Sequence, residues 1–294
     1  MPKRSRFPGP RTVACLSTAV LLAVASAAIA WGEETPLTDW IERGNSAFDE
    51  RFSPEKMDEA IAAYETALAN FESLPPETHA FVLNRLAQLS YERTTFTPGN
   101  TADDKLAFQA GKNYGLLSLR LNPAFAAMEE DDFDAAVAAV TDPSALLWTA
   151  DNWGALFAYD PIGGMFQIGK VRALYERCLE IDETYWGASA HNALGAMLVV
   201  TPAALGGDEA SGLDHLERAV ALDPTYLINR VVRAQYWGFT YDLFGNINGI
   251  RDAAFIEEQL GIVLDAPIAD WPFWNREAQR EAQDLLAELE ERMS

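Results

Sequence analysis

The sequence predicts an all-α protein: a solenoid of helical hairpins closed by a C-terminal capping helix. Three observations carry that prediction. One unit is written twice between Ser144 and Pro224, because Tyr175 to Tyr185 (YERCLEIDETY) recurs 41 residues later as Leu216 to Tyr226 (LERAVALDPTY). Asp151, Gly154 and Tyr185 precede Asn192, Gly195 and Tyr226 by the same interval. A fixed period of roughly 20–50 residues marks stacked repeats. Each half of the unit is apolar at helical spacing, which makes it a pair of helices, and no stretch alternates as a half-buried strand would.

The chain has 294 residues, 49% hydrophobic and 22% charged, enough to build a continuous core and to exclude wholesale disorder. A net charge of −22 repels nucleic acid, whose binding rests on Lys and Arg neutralising phosphates. The acidity fits either solubility outside the cytoplasm or an acidic docking face. Residues 1–30 read as a secretory signal peptide. A start carrying Lys3, Arg4, Arg6 and Arg11 precedes an apolar run from Val13 to Ile29, and Ala28-Ile29-Ala30 is a small-x-small cleavage pattern. Cleavage is expected before Trp31, leaving residues 31–294 as one domain. Cys15 precedes the apolar run rather than following it, so it makes no lipidation site. Cys178 is then the sole mature cysteine, with no disulfide to form. It stands where the sister repeat has Ala219, as a small buried side chain.

In chain order, Thr38 to Phe52 forms a first helix with Trp40, Ile41, Gly44 and Phe48 about a turn apart. Ser53-Pro54 opens a second, since Ser caps and Pro is tolerated in a first turn. Its buried face is Ala60, Ile61, Tyr64, Ala67, Leu68 and Phe71, and Pro75-Pro76 ends it. A small residue, an aromatic four later and a small one at seven resembles the second helix of a tetratricopeptide repeat. A pair follows over Ala80–Glu92 and Asp103–Leu121, then one extra short helix over Asp131–Val140. Ser144–Tyr159 and Gly164–Ile181 form the next pair, Tyr185–Val200 and Asp208–Leu222 the one after. Tyr226–Asp242 pairs with Arg251–Leu264. Asn275–Met293, with Leu285, Leu286 and Leu289 on one face and charged residues elsewhere, reads as the terminal cap.

These units are longer than the regular 34-residue form, and the surplus lies in the turns Asp160–Gly163 and Thr201–Gly207. Loops on one edge of a solenoid are often its binding edge. Leu146–Phe157 (LLWTADNWGALF), Ala204–Leu222 (ALGGDEASGLDHLERAVAL), Arg233-Ala234-Gln235-Tyr236 and the helix from Asn275 to Leu289 resemble the TRAP-transporter T-component family. These are periplasmic tetratricopeptide proteins associated with tripartite organic-acid importers. The likeness runs from Ser144 to the C-terminus. It implies a curved stack with a central groove for an apolar or amphipathic ligand, trimeric assembly, and docking of the importer's solute-binding protein.

No catalytic set and no cofactor site emerges. Gly164–Val171 nearly spells a phosphate loop, but Val171 stands where the motif needs a hydroxyl, and the repeat alignment puts Gly169–Val171 inside a helix. His79, His191 and His215 lie in three units with no metal-ligand spacing. Glu129–Asp132 reads as a solvated loop. The groove reading rests on the 41-residue offset. It makes Asp151, Asn192 and Arg233 equivalent on successive inner helices, with Trp148, Ser189 and Arg230 a turn earlier and Ala155, Ala196 and Trp237 a turn later. Two alternatives follow. Asp151 and Arg233 both bond Asn192 in a structural ladder. Or Trp148, Trp153 and Trp237 wall a groove in which Arg230 or Arg233 meets a carboxylate head. Trp271–Trp274 is either an apolar contact surface or a tucked staple. The function expected is a noncatalytic periplasmic accessory to solute uptake; the alternative is an extracytoplasmic scaffold with no small ligand.

Overall fold

The computed structural model describes residues 36–294 except 71–73, 98, 100 and 243–244. The leader assigned to residues 1–30 and the expected core position Phe71 lie outside the described residues. Among the described residues, fourteen α-helices and one small hairpin make up the fold. Helix α1 (Leu37–Asp49) pairs with α2 (Pro54–Leu68), and α3 (Pro76–Glu92) with α4 (Ala102–Arg120). Two short helices follow, α5 (Pro123–Met128) and α6 (Phe133–Ala138). Helix α7 (Pro143–Ala155), short α8 (Pro161–Met165) and α9 (Ile168–Ile181) form the third unit, in which α7 packs on α9. The fourth pairs α10 (Tyr185–Val200) with α11 (Glu209–Leu222), and the fifth pairs α12 (Ile228–Gly238) with α13 (Ala253–Asp265). Helix α14 (Pro272–Met293) ends the chain. The fold is the all-α helical-repeat stack that the sequence predicts.

Local chemistry sets the boundaries. Ser53 accepts the Lys56 N–H at the start of α2, ahead of Pro54. Thr101 and Asp104 form a reciprocal capping box on α4. The repeated IDETY and LDPTY segments are hinges between units. Asp182 accepts from the Thr184 N–H and hydroxyl, and Asp223 from the Thr225 N–H and hydroxyl and the Tyr226 N–H. Within the fourth pair the helices touch at their backbones. A Cβ on Gly195 would come within 2.8 Å of the Gly212 carbonyl oxygen.

Two stretches depart from the sequence reading. The expected helix over Tyr226–Asp242 stops at Gly238, and β1 (Phe239–Tyr241) turns back through Gly245, at φ +80°, to pair antiparallel with β2 (Ile247–Ile250). The strands are too short for alternation to register, so no sheet was expected. In α10, Trp186, Gly187 and Ala188 form a left-handed turn with φ of 50°, 65° and 64°. Such backbone costs about 1–2 kcal/mol per non-glycine residue. It is held by packing: Trp186 sits edge-on to Trp148 at 5.2 Å and to Trp271 at 5.5 Å, and a Cβ on Gly187 would strike Tyr226.

The stack closes on itself. Trp274, in the first turn of α14, donates its indole N–H to Glu92 of α3 at 3.1 Å, across 182 residues of sequence. Glu92, fully buried, also receives Arg51 Nε at 2.6 Å and Gln88 Nε2 at 2.8 Å. Phe273 packs on Phe96 at 6.2 Å and beneath the Arg51 guanidinium at 4.9 Å. Helix α14 is therefore more than a polar-faced end cap. Its Phe273 and Trp274 are 4% and 7% exposed, which removes the contact-surface reading for them and leaves the tucked one.

Candidate functional site

Closure encloses a hollow. It measures about 540 Å³, within the range of roughly 300–1,000 Å³ typical of small-molecule sites. Its wall comes from the first helix of each of the last three pairs: Trp148, Asp151 and Ala155 of α7, Ser189, Asn192 and Ala196 of α10, and Ile228, Val232 and Tyr236 of α12. Tyr91 of α3 and Trp274 of α14 complete it. Six aromatic rings make a closed circuit, of which Tyr91, Trp148, Tyr226 and Trp274 line the hollow. Tyr91 meets Trp148 (6.3 Å), Trp148 meets Trp186 (5.2 Å), and Trp186 meets Trp271 (5.5 Å). Trp271 meets Tyr226 (4.8 Å), Tyr226 meets Trp274 (6.4 Å), and Trp274 returns to Tyr91 (6.3 Å). Residues of the two elongated turns and of α8 also line the hollow, and apolar side chains there are open to solvent: Ile162 is 70% exposed, Met165 48% and Leu205 46%.

The polar groups of the hollow are few. Asp151 accepts the Tyr175 hydroxyl at 2.7 Å. Burial pushes the Asp151 carboxyl up to about 7 against that hydrogen bond, which favours the ionised form. Outside the lining, Glu281 of α14 is likewise pushed up to about 7, by burial first and then by Glu277 and Asp284 against Arg280. Asn192 is 5% exposed and donates Nδ2 to Asn229 Oδ1 at 2.5 Å. The Asn229 amide nitrogen is itself held by the carbonyls of Gly187, Ala219 and Asp223. That network fixes both amides, so Asn192 presents Oδ1 as an acceptor, and Oδ1 has no partner.

Of the residues singled out from sequence, the structure brings Trp148, Asp151 and Asn192 together on one wall. Arg230, Arg233 and Trp237 stand elsewhere. Arg230 bonds Gln259 at 3.0 Å, while Arg233 lies over Phe255 at 5.2 Å and 3.7 Å from Glu217. Arg233 and Trp237 line a second, smaller hollow against Leu213 and Glu217 of α11. The Asp151–Asn192–Arg233 ladder does not form. The reason is helical phase: Val232 and Tyr236 follow Asn192 and Ala196 by 40 residues rather than 41. One residue turns a helix by about 100°. Trp153 is 7% exposed in the core, edge-on to Phe133 with the Lys112 amine 3.9 Å over its ring.

Other expected positions are also settled. Gly169–Val171 lie inside α9. His191 and His215, read as separate, meet with Nδ1 atoms 2.7 Å apart, and His191 Nε2 lies 3.4 Å from Glu183. Burial lowers both imidazoles. Cys178 is fully buried, and burial first, then Asp151, Asp182 and Asp142, pushes its thiol up to about 12. Sequence reasoning missed Tyr91, Tyr226, Tyr236 and Trp274 as lining residues. The apolar stripe Ile228, Val232, Tyr236 at four-residue spacing was the signal for the third wall.

Fold and hollow together define a helical-repeat protein curled around a largely apolar chamber. The comparison with protein families narrows this. The family model for the TRAP transporter T-component matches residues 78–292, and the chain belongs to that family, whose members serve as accessories of a TRAP transport system. No curated relative matches the chain. Among the described residues no helix is long and apolar enough to cross a membrane.

Proposed function

We propose that the chain is a noncatalytic, extracytoplasmic accessory of a TRAP-type uptake system, which docks the importer's solute-binding protein and holds an apolar or amphipathic molecule in its chamber. The observation that carries this reading is the aromatic-floored hollow of about 540 Å³, walled by one helix from each of three successive repeats and opening among exposed apolar turns. Trp148, Asp151 and Asn192 are the chamber contacts named from sequence. The leader supplies the route to the periplasm, and the resemblance supplies trimeric assembly and the partner. A wall of rings and aliphatic side chains buries an apolar body at about 25 cal/mol per Å² removed from water. Native mass spectrometry of the gently purified protein, alone and mixed with a TRAP-type solute-binding protein, tests all parts at once. A trimer that carries a lipid-like mass and binds the solute-binding protein is the expected result. Ligand-free protein that ignores the solute-binding protein refutes the reading.

A further inference from the structure

We propose that the chamber selects an amphiphile with a cationic, amine-type head group in preference to one with a carboxylate head. This rests on the reading that the chamber holds an apolar molecule, and it adds the chemistry of the polar end.

Among the described residues the lining has no Lys, Arg or His, and its one ionisable acid is Asp151. The arginines that would meet a carboxylate, Arg230 and Arg233, bond to or face other groups outside the hollow. A carboxylate entering would therefore lose its water and gain no cation, while lying in the same hollow as an aspartate. The groups waiting there are acceptors. Asp151 offers the carboxyl oxygen that Tyr175 leaves free. One repeat on, at the equivalent position, Asn192 presents Oδ1, whose orientation is fixed by Asn229 and which has no partner. An ammonium carries three donors and no acceptor, which matches such a pair. Among the described residues the fully buried lining donor without a partner is the Trp148 indole N–H; it and the lining hydroxyls of Tyr91 and Tyr236 are neutral groups that can hold a hydroxyl or ether oxygen without balancing a negative charge.

Two wider features act in the same direction. The aromatic rings of Tyr91, Trp148, Tyr236 and Trp274 line the hollow, and aromatic faces attract a cation through their quadrupoles. Glu281 lies close enough to act on the hydroxyls of Tyr91 and Tyr236, and the whole chain carries a net charge of −22. The proposal concerns the molecule held in this chamber, and not the solute that an importer's solute-binding protein carries.

The test uses one tail with three heads. Full-length protein stripped on a hydrophobic resin is loaded with the neutral dye N-phenyl-1-naphthylamine at pH 8, above the value of about 7 to which burial lifts Asp151, so that its carboxylate is ionised. Dodecylammonium, dodecanol and dodecanoate then compete for the dye below their micellar concentrations. Dodecylammonium should displace it at about tenfold lower concentration than dodecanoate, with dodecanol between them, as befits a charge-assisted hydrogen bond. In Asp151→Asn that ratio should collapse toward one. Asn192→Leu, which keeps the carboxylate, should lower it several-fold and serves if Asp151→Asn does not fold. Dodecanoate or dodecanol equal to or better than the amine overturns the proposal while leaving the chamber reading intact. So does an amine preference that survives both substitutions, since it would report adsorption to the acidic surface. If the dye and all three chains fail to bind, the chamber reading falls and the head-group proposal with it.

Discussion

Removing Glu92 should open the ring that the rest of the molecule depends on. Its carboxylate is fully buried and takes four donors: Arg51 Nε at 2.6 Å and Nη2 at 3.2 Å, Gln88 Nε2 at 2.8 Å, and Trp274 Nε1 at 3.1 Å. In Glu92→Ala the Arg51 guanidinium, 8% exposed, stays in the interior without a counter-ion. Stranding a buried charge in this way costs about 3–5 kcal/mol. Arg51 keeps the Phe48 carbonyl at 3.0 Å and the faces of Phe48 and Phe273, so the lower end of that range applies. The double variant Arg51→Met, Glu92→Leu removes both charges together and should regain most of the loss, because an apolar pair of similar volume replaces an ion pair at little cost. Urea unfolding of wild type, single and double variants measures this directly. Native-state hydrogen exchange adds the structural readout. In Glu92→Ala, protection should fall in both α3 and the first turns of α14 while α11 keeps its own. A single variant within 1 kcal/mol of wild type, or a loss confined to α3, refutes the idea that Glu92 ties the chain's two ends.

Three further outcomes follow from the same structure. The Asp151 carboxyl rises from an ordinary 3.8 to about 7 in the folded chain, so its contribution is full below 3.8 and is lost as pH climbs through 7. Relative to Asp151→Asn, wild type should lose on the order of 3 kcal/mol between pH 4 and pH 8, read from urea midpoints across that range. Gly195→Ala should destabilise by about 1–3 kcal/mol because the new methyl meets the Gly212 carbonyl and Leu216. Gly154→Ala, where the nearest atom is 3.6 Å away, should instead gain about 0.5–1 kcal/mol of helix propensity, and parallel denaturation curves decide both. The Cys178 thiol, buried and pushed up to about 12, should ignore a disulfide reagent in native buffer at pH 8 and react at once in denaturant.

The fold was legible because its signals are local. Five pairs of helices follow from apolar spacing and from turn residues such as Ser53, Pro54 and Asp223, and the doubled segment at Tyr175 and Leu216 sets their order. The left-handed turn at Trp186–Ala188 was not legible. Nothing in Trp-Gly-Ala demands it, and it holds only because Trp148, Trp271 and Tyr226 pack around it. The contact of α14 with α3 was hidden for a related reason. Trp274 and Glu92 meet only after the small rotations between successive pairs have summed around the stack, and no window of sequence contains that sum.

The chamber shows where a repeat argument and a hydrophobicity argument compete. From α7 to α10 they agree, and Asp151 and Asn192 both reach the wall at the shared interval of 41. From α10 to α12 they part. The interval points to Arg233, whereas the stripe of Ile228, Val232 and Tyr236 points one residue earlier. The stripe prevails, because turning Arg233 inward would take its guanidinium out of water and away from Glu217 and Phe255, and would put Val232 and Tyr236 toward water. A one-residue slip in the link between units is small by comparison. Burial therefore sets the phase of an inner helix and repeat spacing only its approximate place. By that rule the chamber reaches its acidic, cation-free character: with Arg233 turned away, Asp151 is left as the one ionisable acid in the wall among the described residues.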